Sequence, residues 1–107
     1  MNDYAIREAH VDTIHGLISL IPDVIKGSTD KTSSENLRWM LDRCLDEILT
    51  LPVDKIGRWV GFVQGVLAMS GHLDVDQERE RTRPFFHRAY QATNQKVPET
   101  KEMKKES

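Results

Sequence analysis

Glu8, Asp12, His15 and Ser19 follow one another at spacings of four, three and four, so a helix would carry all of them on one face. Carboxylates and an imidazole so placed are a donor set for a divalent metal or for general acid–base work. A solvated helix face has the same pattern, and the face reads as solvated. Farther along, His72, Asp74 and Asp76 alternate with Leu73 and Val75 as the acids of a calcium loop do. The sixth position counted from Asp74 is not glycine and the twelfth is Phe85 rather than glutamate, which excludes that loop. Asp74 reads instead as a helix cap. Cys44 falls on an apolar stripe, no serine sits in a nucleophile elbow, and the glycines lack the Lys-Ser/Thr of a phosphate-binding loop. The expectation is no catalytic residue, no metal and no cofactor. The one local cluster of guanidinium groups, Arg79, Arg81 and Arg83 with Arg88 and His87 beyond, is interleaved with Glu78 and Glu80. It reads as a salt-bridged solvated face, with an anion site where Pro84 breaks the helix as the alternative.

Composition narrows the classes further. The chain has 107 residues, long enough for one domain with its own core. Its 15 Lys and Arg against 17 Asp and Glu leave a net charge of -2, so no basic footprint favours nucleic acid. A single cysteine excludes an internal disulfide and suits a reducing compartment. The first ten residues lack the basic and apolar regions of a signal peptide, which points to the cytoplasm.

The elements that must position these residues are helical. Ile6, Ile14, Leu17, Ile18, Ile21, Val24 and Ile25 recur at threes and fours over residues 3–26, with Pro22 expected to kink that helix or restart it. After the loop GSTDKTSS, Thr32 and Glu35 have capping-box spacing and open a second helix whose apolar residues run from Leu37 to Leu49. Pro52 ends it, Asp54 caps a third over about 55–70, and Gly71 closes that one. Asp74 and Gln77 open a fourth, expected to break at Pro84. From Thr93 the chain is polar, of mixed charge and nearly free of apolar residues, and reads as a disordered charged tail over 93–107. The expected fold is all-α: a small four-helix bundle in residues 1–92, packed around the third helix.

That third helix holds Gly57, Gly61 and Gly65 in a row four apart. Each costs a helix interior about 1 kcal/mol relative to alanine, which close approach of another helix backbone would offset. The neighbour is expected within the chain, or in a second copy. A membrane span is excluded by the short apolar run and by Arg58 and Gln64 within it. On this reading Gly61→Leu disrupts folding or assembly. In the second helix, Trp39 lies opposite the apolar stripe among Asp42, Arg43 and Asp46, a position that needs cover from elsewhere in the chain or from a partner. His10, within the apolar stripe of the first helix, reads as a hydrogen-bonded core or interface residue.

The segments LRWM, DKIGRWVGFVQGVL and ERTRPFFHRAY together resemble a group of small bacteriophage- and prophage-encoded proteins, most clearly in residues 58–65. The resemblance spans about residues 37–90 and implies an accessory protein of the host cytoplasm that binds a host or phage factor. It assigns no site residue. The residues expected to meet such a protein partner are Trp39, Arg43, Asp46, Arg58 and Arg83, with a homodimer as one form of assembly. The alternative is binding or sequestering of a small anionic molecule, such as a nucleotide, by Arg79, Arg83, His87 and Arg88.

Overall fold

The first apolar stripe folds into α1, Tyr4–Leu20, in the computed structural model, which describes residues 3–93. Pro22 ends this helix rather than kinking it. A residue before proline is driven out of the α region, and Ile21 accordingly adopts φ -72° and ψ 118°. The chain then crosses to α2 by way of Ile21 and Ile25, both buried. The α2 helix, Ser34–Asp46, is capped by Ser33, whose hydroxyl accepts from the Asn36 amide at 3.2 Å. The expected cap, Thr32, is one residue away and is used by the loop, where its hydroxyl accepts from the Thr29 amide.

The α3 helix, Val53–Met69, begins directly after Pro52, which puts Asp54 in the first turn rather than at the cap. Gly71, at φ 83°, ends it in a Schellman turn: the His72 amide donates to the Leu67 carbonyl at 2.8 Å and the Gly71 amide to Ala68 at 3.2 Å. Asp74 caps α4, Val75–Ala92, as its spacing predicts, accepting from the Gln77 amide at 2.9 Å. The expected break at Pro84 does not occur. Proline removes one helical donor, and the Glu80 carbonyl so freed belongs to an exposed residue, where the loss is cheap. Anchors on both sides, the buried Glu78 before and the buried Ala89 after, keep the helix continuous across that gap.

The result is a small four-helix bundle, as the periodicities predict, but its centre is α1. That helix packs on each of the other three, whereas α3 packs mainly on α1 and α2. The core is built from Ile14 and Leu17 of α1, Leu37, Leu41 and Cys44 of α2, and Ile56, Val63 and Leu67 of α3. The most extensive helix pair is α1 with α4, and small residues mediate it. Ala9, Thr13 and Gly16 line one side of α1, and a methyl group at Gly16 would overlap the Arg81 guanidinium.

The glycine row of α3 does not bring two backbones together within the chain. A Cβ added at Gly61 or Gly65 meets nothing within 4 Å, and one at Gly57 meets only the His10 ring, at 3.8 Å. The buried stripe Ile56–Val60–Val63–Leu67 sets which way α3 faces, and the row lies roughly a quarter turn or more from it. Gly61 and Gly65 are consequently exposed. With no close contact to offset the helix penalty, Gly61→Ala is expected to stabilise the monomer by about 0.8 kcal/mol. Thermal or urea unfolding measures this; a loss of stability would restore the close-packing reading.

Two arginines tie the helix connections to the bundle. Arg7 of α1 donates Nη1 to the Ile48 and Leu51 carbonyls at 2.8 and 2.5 Å, in the turn between α2 and α3. Arg38 of α2 donates to the Ile21 and Pro22 carbonyls at 3.0 and 3.1 Å, just past α1. Each supplies donors to carbonyls that a helix end leaves open.

Candidate functional site

Trp39 is half exposed, as its place opposite the α2 stripe predicts, at 54% of its full surface. Its partner is Trp59 of α3, with ring centroids 5.7 Å apart and planes at 38°. The cover from within the chain comes from α3 and leaves about half of the ring exposed. The pair exists because α3 has a second apolar stripe beside its core stripe. Trp59, Phe62, Val66 and Met69 recur at three, four and three, and α2 packs against the Trp59 end of that line. Phe62 and Met69 are exposed in turn, Met69 at 91%.

Cations frame the ring pair. The Arg43 guanidinium lies 5.8 Å from the Trp39 centroid and 5.5 Å from that of Trp59, and the Lys55 ammonium lies 5.1 Å from Trp59. Arg43 is held in place by Glu47, at 2.8 Å one turn along. Beside the rings opens a cleft of 360 Å³ lined by Lys31, Asn36, Trp39, Met40, Trp59 and Phe62. The arrangement is an aromatic and thioether surface with positive charge at its edge, suited to covering an apolar anchor of another molecule.

Of the other residues expected to meet a partner, Asp46 stands two turns along α2 on the Trp39 side and is exposed. Arg58 is exposed beside Trp59 and is within 3.8 Å of Asp54, an ion pair too solvated to fix its position. Arg83 is separate: it is exposed on α4, and neither α2 nor α3 packs extensively on that helix. Trp59, Lys55 and Phe62 belong to the surface although sequence reasoning did not select them. Their signal was the second stripe of α3.

The alternative anion cluster does not converge. Arg79, Arg83 and His87, four apart, share one side of α4, with Arg79 at the exposed edge of the concavity between α1, α3 and α4, but Arg88 lies on another side, 5.7 Å over the Phe85 ring and beside Glu8 and Asp12 of α1. Arg81 and Glu78 depart from the solvated face expected of them. Glu78 is buried, with 7% of its surface exposed, and accepts from Arg81 Nε and Nη2 at 2.9 and 3.0 Å and from Gln64 Nε2 at 2.8 Å. Arg81 also donates to the Thr13 carbonyl at 3.2 Å, so this network ties α1, α3 and α4 together. Glu8, Asp12, His15 and Ser19 share the outer face of α1, with the Ser19 hydroxyl donating to Gly16. Among the described residues no group of three or more His, Cys, Asp or Glu is close enough to hold a metal ion. Cys44 is fully buried, and that burial pushes its thiol above the ordinary range, away from nucleophilic chemistry.

His10 is not hydrogen-bonded as expected. Its ring stands edge-on to Phe86 at 5.1 Å and 74°, and its buried Nδ1 has no partner among the described residues. Burial, and then the nearby Arg7 charge, lower its pKa from the ordinary 6.5, so the folded protein holds it neutral. Unfolding lets it take up a proton below pH 6.5, so its contribution to stability is complete above that pH and is lost as pH falls toward the folded value. The melting temperature is expected to fall between pH 7 and 5 by more in the wild type than in His10→Gln; equal slopes would refute it.

No protein-family model, no curated protein and no solved structure matches this chain. No helix among the described residues is long and apolar enough to cross a membrane.

Proposed function

We propose that the protein is a noncatalytic interaction module that binds another protein through the Trp39–Trp59 surface. The observation that carries this reading is the exposed, paired tryptophans running on into Phe62, framed by Arg43 and Lys55. Tryptophan and arginine together are the residue types that anchor protein interfaces most strongly, and a lone folded chain gains little from a half-exposed indole. The resemblance of residues 58–65 to small phage- and prophage-encoded proteins supports a host or phage factor as the partner, met in the cytoplasm. Asp46 and Arg58 belong to the rim of this surface, and Arg83 does not.

The test is capture from host lysate by tagged wild type and by Trp39→Ala, with the bound proteins identified by mass spectrometry. Because Trp39 lies outside the core, the variant is expected to stay folded, losing about 1 kcal/mol with the ring pair and the cation contact. A protein retained by the wild type and lost from the folded variant is the expected result. Identical capture by both would overturn the proposal.

A further inference from the structure

A second concavity lies between α1, α3 and the first half of α4, and shares no lining residue with the cleft beside the tryptophans. Its volume is 360 Å³, within the range of about 300–1,000 Å³ typical of small-molecule pockets. Val60, Ala68, Leu73, Val75 and Phe86 make its walls apolar. Walls of that kind close on each other unless something holds them apart, and here something does. The Gln64–Glu78 hydrogen bond spans from α3 to α4, and Arg81 anchors the same carboxylate to the Thr13 carbonyl of α1. The groove is thus set open by a buried polar strut. Gly57 and Gly65 widen it by leaving out side chains on the α3 wall.

We propose that this groove binds a small apolar monocarboxylate, with its hydrocarbon or aryl body against Val60, Leu73 and Phe86 and its carboxylate on Arg79. The charge at the lining selects the anion. Glu78 is neutralised by Arg81, which leaves Arg79 as the uncompensated charge of the groove, and Arg79 has no ion pair or hydrogen bond from its side chain among the described residues. An extended guanidinium is suited to a carboxylate by its fork of donors. Inside, the Cε1–Nε2 edge of His10 is what a methyl on Gly57 would meet at 3.8 Å, so the imidazole presents that edge where the glycine leaves room. Neither ring nitrogen has a partner among the described residues. A neutral imidazole at this place accepts an uncharged body more readily than a second anion. The ligand class is therefore one charge and one apolar body, which a nucleotide with its several phosphates does not match.

The experiment is a titration of the full chain with 4-phenylbutyrate, followed by amide NMR shifts and calorimetry, alongside 4-phenylbutanamide and 4-phenylbutylamine. Millimolar 4-phenylbutyrate is expected to shift the amides of residues 57–68 and 75–86 and the His10 ring, with the amide and the amine at least tenfold weaker. Arg79→Gln, an exposed change that spares the fold, is expected to weaken the carboxylate tenfold and leave the amide unaffected. Gly57→Leu is expected to abolish binding while the far-ultraviolet circular dichroism stays that of the wild type. Equal affinity for all three probes, no effect of Arg79→Gln, or no shifts at the groove would overturn the proposal. So would groove shifts that follow protein concentration without probe, which would make a second copy the occupant. Movement of the amides of residues 94–107 in Arg79→Gln without probe would make the chain's own end the occupant, with the same consequence.

Discussion

Glu78→Ala is expected to destabilise the protein by about 3 kcal/mol, at the lower end of what is lost when one partner of a buried ion pair is removed. The carboxylate is 8% exposed and fills three donor contacts, while Arg81 is 32% exposed, so water recovers part of what the guanidinium loses. Removing the acid also frees Gln64, and the tie between α3 and α4 goes with it. The melting point is expected to drop by about 12–20 °C on the usual scaling for a domain of this size. Glu80→Ala is the control: two residues on, exposed and unpaired among the described ion pairs, it is expected to change stability by at most about 0.5 kcal/mol. Urea denaturation of both variants checks this, and similar losses in the two would show that Glu78 is no more than a surface acid. The far-ultraviolet spectrum of Glu78→Ala at low temperature is expected to keep its helical form, because α1, α2 and α3 retain their common core.

Glu78 also marks where the sequence stops being legible. The sequence places it in RERTRP beside alternating arginines, and local charge balance makes a solvated face the economical reading. Its burial is decided by Gln64, fourteen residues away, and by a carbonyl of α1 that no pattern of side chains records. The four helices themselves were legible because each carries its own period and punctuation: Asp74 caps, Gly71 terminates, Pro52 separates. The glycine row shows the opposite limit. Spacing alone establishes that Gly57, Gly61 and Gly65 share a side of α3, but which helix lies on that side depends on how the larger residues at 56, 60, 63 and 67 are satisfied. Those four took α3 to α1 and α2, and the glycines were left facing outward and toward the α4 groove. Meanwhile Gly16, alone in α1 with no repeat to draw notice, is the glycine over which Arg81 lies. Trp39 was readable as exposed, because its place opposite a strong stripe needs no tertiary information. Its pairing with Trp59 was not, since that required knowing that α2 and α3 pack side by side.

Arg7→Ala is expected to cost about 2–3 kcal/mol, the contribution of a charged hydrogen-bond group serving buried acceptors. Its side chain is 12% exposed, and one guanidinium nitrogen serves two carbonyls of the turn that leads from α2 into α3. No backbone donor of α1 reaches them in its place. Lysine keeps the charge but has no planar fork, so Arg7→Lys is expected to recover less than half of the loss. Asp3 reports on the same group from the other side. The hydrogen bond from Arg7 is the main cause of its lowered pKa, with Nε 2.8 Å from Oδ1 and Nη2 3.1 Å from Oδ2. A depressed carboxylate adds stability above its ordinary value of 3.8 and loses it as pH falls through the lower folded value, so the wild type is expected to yield to acid in that window. In Arg7→Ala the Asp3 carboxyl is expected to titrate close to 3.8 by NMR. If Asp3 kept its low value in the variant while stability fell, the helix end and not the arginine would be holding it, and the two effects would have separate origins.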